Sequence, residues 1–256
     1  MKNVYGIQMY SIRDITKSDL RLGIRLVSEM GYKEVEFAGF FGNSADEVAS
    51  WLKEYGLAAV GTHTGIEAIS PENIKATISY HKAIGAKYLT VPGAKWSSEE
   101  DMRANIDAFN YADPILRSEG IILGYHNHSS EFYTTPYGKK VFDEIIARTD
   151  ILLEVDTFWL YNAGIDPVPY LDLHKDRIKL IHLKDGNVDK SVEKSFSSPH
   201  VGAVGAPVGD GELPIKQIVD WAVNNGVKIV VESEDLTPTG PLEVERCLKN
   251  LIELEG

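Results

Sequence analysis

Four apolar runs in the second half of this chain end in residues that can hold a divalent metal. They are GYHNH at Gly124–His128, LLEVD ending at Asp156, LIHLKD with His182 and Lys184, and IVVESE with Glu232 and Glu234. The Ile, Leu and Val before each polar end mark a buried strand, and a charge carried at such an end is desolvated and needs a partner. One metal ion shared by the four ends would supply it. Carboxylate and imidazole ligands without thiolates suit Mn²⁺, Mg²⁺, Co²⁺ or Zn²⁺. With open positions left for a substrate bearing adjacent oxygens, such an ion acts as a Lewis acid on a carbonyl, and a nearby carboxylate or lysine can move the α proton.

Residues two apart on a strand point the same way, which pairs His126 with His128, His182 with Lys184, and Glu232 with Glu234. Asp156, His182 and Glu232, on three consecutive strands, are the expected metal ligands. His126 and His128 are expected to touch metal or substrate, or to join a polar core network through Asn127. The same alternation sets Glu154 one layer below Asp156, where an ion is costly unless strand curvature or a basic partner intervenes.

These residues need elements to hold them, and the two periodicities alternate along the whole chain. Strands are expected at Val4–Tyr10, Glu34–Phe37, Ala58–His63, Tyr88–Val91, Ile121–His126, Ile151–Asp156, Ile178–Lys184 and Lys228–Glu232. Helical spacing or helix-start signals follow each, among them Leu20, Ile24 and Val27 before Gly31, and Val244, Cys247, Leu248 and Leu251 at the end. Eight such units in 256 residues match an α/β chain folded as a single (β/α)8 TIM barrel, one domain over residues 1–256. A doubly wound sheet is the alternative, but the units show no reversal point.

Active sites of such barrels lie at the carboxyl ends of the strands, where every candidate falls. Gln8 and Tyr10 end the first strand, Glu36 the second and His63 the third; Glu36 and His63 either line the pocket or form a structural ion pair. Trp159, Phe158, Tyr10, Phe40 and Phe41 are placed to stack on a sugar ring or to pack. The one long gap, Gly186–Leu213, is read as a functional loop over the site. Its Gly205–Leu213 stretch has the look of a phosphate cradle but lacks the P-loop lysine and a strand before it.

A net charge of -12 disfavours nucleic acid and anionic membranes as partners. The one cysteine excludes a disulfide framework and a thiolate metal cluster. No targeting signal or membrane-length apolar run is read, so a cytoplasmic protein is expected.

With these residues in view, the chain resembles the xylose isomerase-like sugar isomerase/epimerase superfamily. The resemblance runs through GIQMYSIRD at Gly6, VEFAGFFG at Val35, YHNHSSEF at Tyr125, VDTFW at Val155, AGIDP at Ala163, HLKD at His182, the GAPVGDGELP loop and VESED at Val231. It implies one divalent ion, Mn, Mg, Co or Zn, held by Glu, Asp, His and Glu from the fifth to eighth strands, the last three corresponding to Asp156, His182 and Glu232. The fifth-strand Glu has no clean match here, since YHNH stands in its place with Glu131 following. His126 is the expected fourth ligand.

The resemblance further implies a carbohydrate substrate and a metal-dependent isomerase or epimerase acting on a ketose or keto-sugar. Glu232, or a histidine of YHNH, would take the α proton, and Lys184 would stabilise or protonate the enediolate oxygen. His63 and Glu36 would hold hydroxyls, Glu131 would fold back as a second base, and Gln8, Tyr10, His128 and Trp159 would contact substrate. Because epimerases of the group use two glutamates, a dehydratase or lyase acting on a keto-sugar, keto-glycoside or inosose with the same metal site is the alternative. A non-catalytic sugar-binding barrel is a third reading. The resemblance leaves a homo-oligomer open, and no segment carries an interface signature.

Overall fold

The computed structural model describes residues 2–256. Its apolar runs form β1 (Tyr5–Gln8), β2 (Glu34–Phe37), β3 (Ala58–His63), β4 (Tyr88–Val91), β5 (Ile122–His126), β6 (Leu152–Asp156), β7 (Leu180–Leu183), β8 (Asp185–Val188), β9 (Ala203–Ala206) and β10 (Lys228–Val231). Eight of them pair in parallel and close into a barrel in the order β1-β10-β7-β6-β5-β4-β3-β2, while β8 and β9 form a separate two-stranded antiparallel sheet. Helices lie between the strands. Asp19 caps the helix Leu20–Met30, and Ser44 and Glu47 form a capping box on Ala45–Tyr55; both devices satisfy N–H groups that a helix start leaves orphaned.

The inside of the barrel is layered, because every second residue of a strand faces in. Val60, Tyr88, Leu152, Leu180 and Val230, with Ile122 against them, form a buried apolar plug separate from the main core. Two residues further along their strands stand Glu154, His182 and Glu232. The polar cluster therefore sits on an apolar floor, nearer the carboxyl ends. Outward-facing Ile7, Val35, Leu89, Leu123, Leu153, Ile181 and Val231 are fully buried against the surrounding layer, each contributing about 1.5–3 kcal/mol over exposure.

Register brings the ends together: Asp156 lies opposite His182, His126 opposite Glu154, and Gln8 opposite Glu36. Two expectations change, and one helix is added. The first strand stops at Gln8, and Tyr10 lies in a 3-10 turn at Met9–Ile12, where the Gln8 side chain accepts the Tyr10 N–H and ends the ladder. The gap from Gly186 to Leu213, read as a functional loop, carries the hairpin β8–β9. A helix at Thr157–Asn162 follows β6 at once, because Asp156 caps it. No helix among the described residues is long and apolar enough to cross a membrane.

Candidate active site

The strand ends are stitched to one another by side chains. The Asp156 N–H donates to Asn127 Oδ1 at 3.1 Å, which ties the end of β5 to β6. Thr157 Oγ1 donates to the carbonyls of His182 and Lys184 at 3.1 and 3.2 Å, which ties β6 to β7. Asp156 splits its carboxylate: Oδ1 accepts the Trp159 N–H at 2.8 Å, and Oδ2 is buried without a partner.

Two groups of ligand atoms result, each with its members within 4.8 Å of one another: His126, Asp156, His182 and Glu232, and His63, His126, Glu154 and His182. The second group is already paired internally. His63 Nε2 lies 2.8 Å from Glu154 Oε2, and His182 Nε2 lies 2.6 Å from Glu36 Oε2 and 3.5 Å from Glu154 Oε1. In the first group Asp156 Oδ2 and His126 Nδ1 have no hydrogen-bond partner, and His182 Nδ1 stands 3.2 Å from Glu232 Oε2. Buried acceptors without partners, within a group of ligand atoms no more than 4.8 Å apart, are what a cation satisfies, so the donor set fits a hard or borderline divalent ion.

Electrostatics follow from burial. Burial disfavours a charge on His182, but Glu154, Glu232 and hydrogen bonds to Glu232 and Glu36 outweigh it and lift its pKa well above the usual value. Burial, reinforced by Glu232 against Lys184 and His182, lifts the Asp156 carboxyl to about 7. Glu36 is raised by burial and by Glu154, whereas Glu154 is lowered because His182 and His63 overcome its burial. His126 is pushed well below the ordinary range by burial and by its histidine neighbours. His128 is lowered too, burial coming first.

A cavity of about 370 Å³ opens beside the cluster, lined by Tyr10, Ala38, His63, Pro92, His126, His128, Glu232 and Glu234. A larger one, about 500 Å³, lies under the hairpin side of the fold and holds none of the cluster residues, so size does not locate the chemistry. Lys184 is buried, with Nζ 2.8 Å from Glu234 Oε1, 3.7 Å from Glu232 Oε2 and 4.6 Å from the Trp159 ring centroid. Despite burial, Glu232 and Glu234 hold its pKa above the usual lysine value.

The structure brings together His63, His126, His128, Asp156, His182, Lys184, Glu232, Tyr10 and Trp159. It does not bring Gln8, Glu36 or Glu131 to the cavity wall. Gln8 Nε2 donates to Glu36 at 3.0 Å, and both lie buried beneath the site. Glu36 has room there because β3 carries Gly61, whose added Cβ would stand 2.8 Å from Glu36 Oε1. Glu131 does not fold back as a base. Its carboxylate accepts from Tyr125 Oη, the His128 N–H and Ser130 Oγ at 2.9, 3.0 and 2.8 Å, which fixes the backbone of His128 instead.

Sequence left the Glu154 conflict open and did not mark two further residues. Glu154 joins the cluster, and His63 is the basic partner that its depth demands. Asp185, one step beyond Lys184, accepts the N–H groups of Gly186, Gly209, Gly211 and Leu213 at 2.8, 2.9, 3.0 and 3.1 Å. The glycine-rich stretch thus cradles the chain's own carboxylate, not a phosphate. His200, carried by the same long connection, stacks on Trp159 with ring centroids 4.2 Å apart; no sequence signal marks that pairing.

Comparison with known proteins adds to this geometry. A model of the xylose isomerase-like TIM barrel family matches residues 24–251. An inosose dehydratase of Salmonella typhimurium LT2 is 29% identical over 170 residues, 61% of this chain and 55% of that protein. An inosose dehydratase of Geobacillus kaustophilus HTA426 is 22% identical over 89% of this chain and 84% of its own. The chain thus spans about half the length of the Salmonella relative. Among solved structures, a sugar phosphate isomerase/epimerase of Parabacteroides distasonis ATCC 8503 superposes with TM-score 0.77 at 26% identity, over 98% of each chain. The IolI protein, solved with a bound zinc atom, superposes with TM-score 0.68 at 14% identity over 98% of each chain, a likeness of fold alone. The expected isomerase or epimerase activity is overturned by the curated relatives, which are dehydratases.

Proposed function

The chain belongs to the xylose isomerase-like TIM barrel family, and we propose that it is a metal-dependent dehydratase acting on an inosose or a related cyclic polyol ketone. The observation that carries this reading is the buried convergence of His126, Asp156, His182 and Glu232 within 4.8 Å, beside a cavity that also presents His128. Those four residues would hold one divalent ion, with zinc the first choice by analogy with IolI. When bound, the ion supplies Lewis acidity to the ketone oxygen.

The chain's own groups do the rest. His128, kept neutral chiefly by burial, takes the proton α to the ketone; a neutral imidazole is a competent base near pH 7. Lys184, held cationic by Glu232 and Glu234, donates a hydrogen bond to the oxygen as negative charge develops. The electron pair of the broken C–H bond becomes a C=C bond while the β C–O bond breaks. The departing hydroxide takes back the proton from His128 and leaves as water, so one ring position loses H, its neighbour loses OH, and no redox partner is needed. Tyr10 and Trp159 hold the ring, His63 and Glu154 support His182 from below, and Glu131 sets the height of His128.

The test is to incubate an inosose with metal-loaded protein and follow the ultraviolet absorbance of a conjugated ketone. Growth of that absorbance is expected. An epimerised ketone without it, or no product at all, would overturn the reading.

A further inference from the structure

Tyr10 and Ala38 line the main cavity and also a second, smaller cleft of about 70 Å³, whose other walls are Met9, Arg13, Thr16, Lys17 and Phe41. Two aromatic rings stand there in solvent: Tyr10 is 40% and Phe41 47% exposed. Exposed aromatics next to a polar cavity call for an explanation that scattered surface residues do not.

The GFFG turn shows how the chain displays one ring and hides the other. Phe40 is tethered inward, 5.2 Å from Phe37 and 4.1 Å from Tyr80 by ring centroids. Phe41 adopts φ 51, a conformation bulky residues rarely take, between Gly39 at φ 104 and Gly42 at φ 83. The two glycines accept the turn at low cost, and their left-handed geometry turns Phe41 away from the core and over the cleft. Tyr10 is fixed from its other side: the Arg13 guanidinium lies 4.4 Å from its ring centroid and donates to the carbonyls of Tyr10 and Glu234 at 3.2 and 2.6 Å. Since Glu234 pairs with Lys184, the cleft wall is braced against the proposed catalytic group.

We infer that the cleft is a second subsite, continuous with the first, which takes an apolar and preferably aromatic substituent carried by the ring bound in the main cavity. Its apolar walls are Met9, Ala38, Tyr10 and Phe41, and its polar ones Arg13, Thr16 and Lys17. The inference rests on the proposed reading of the main cavity as a carbohydrate site. It extends the substrate class from a bare ring to a ring bearing an aryl group.

The experiment compares phenyl β-D-glucopyranoside with methyl β-D-glucopyranoside in calorimetric titrations of metal-loaded protein, repeated with Phe41→Asn, since Asn tolerates the left-handed conformation. The phenyl compound is expected to bind about tenfold more tightly, which corresponds to about 1.4 kcal/mol, and Phe41→Asn is expected to erase that preference while leaving the methyl compound unchanged. Equal affinities, binding of neither, or a preference that survives in Phe41→Asn would overturn the subsite. Phe41 is half-exposed, so the variant is expected to fold. Conversion of an unsubstituted inosose, assayed separately, keeps the two ideas apart: turnover without a phenyl preference sinks the subsite alone, and a phenyl preference without turnover sinks the dehydratase reading alone.

Discussion

Glu154 and His63 meet across the barrel, with His63 Nε2 2.8 Å from Glu154 Oε2, Glu154 fully buried and His63 exposed by only 9%. A carboxylate this deep is costly alone, and the imidazole that compensates it comes from a strand three places away around the barrel. Burial opposes charge on His63, but Glu36 and Glu154 together raise its pKa.

That pair makes His63 a stability residue first. His63→Ala leaves Glu154 with one fewer donor in a dry site, and removing one member of a buried pair costs about 3–5 kcal/mol. Urea denaturation of metal-free protein is expected to show a loss of that order. A loss below about 1 kcal/mol would show that the two are not paired in solution.

The proposed base gives a second prediction. His128→Gln is expected to lower kcat about 10²–10⁴-fold while metal content and KM stay near wild type, because His128 lies outside both ligand groups. Loss of metal together with activity would make His128 a ligand, contrary to the account.

His81 supplies a pH dependence far from the ligands. Buried, with Nε2 2.6 Å from Thr62 Oγ1 and Nδ1 2.8 Å from the Thr77 carbonyl, it has its pKa lowered by burial against the Thr77 contact. Above the unfolded value of about 6.5 both states are neutral, and His81 adds no slope. Below it the unfolded chain takes the proton first, so stability is lost as pH falls toward the depressed folded value, at up to about 1.4 kcal/mol per pH unit. Stability at pH 7.5 and 5.5 is expected to differ less in His81→Gln than in wild type; an equal difference would exclude the linkage.

Much of this was legible in the sequence because a barrel writes its site at strand ends. Asp156, His182 and Glu232 each close an apolar run, and alternation alone puts them on inward faces, above Leu152, Leu180 and Val230. What escaped were relationships across the barrel or along a long loop. The depth of Glu154 reads as a conflict until His63 arrives from β3. The Gly205–Leu213 stretch reads as a ligand cradle because its N–H groups converge, and only the fold shows that Asp185 fills it. Glu131 is close in sequence to His126 yet is taken by Tyr125, which faces the outer layer. The activity was misread because the resemblance points to a superfamily that holds isomerases and dehydratases alike, and the curated relatives this chain matches are dehydratases.

If His126, Asp156, His182 and Glu232 hold one metal ion, elemental analysis of purified wild type beside the Asp156→Ala, His182→Ala double variant reads it directly. The account predicts about one divalent ion per chain in the wild type and none in the variant, with the circular dichroism of the barrel retained. Equal metal in both proteins, or none in the wild type after loading with divalent ions, would contradict it.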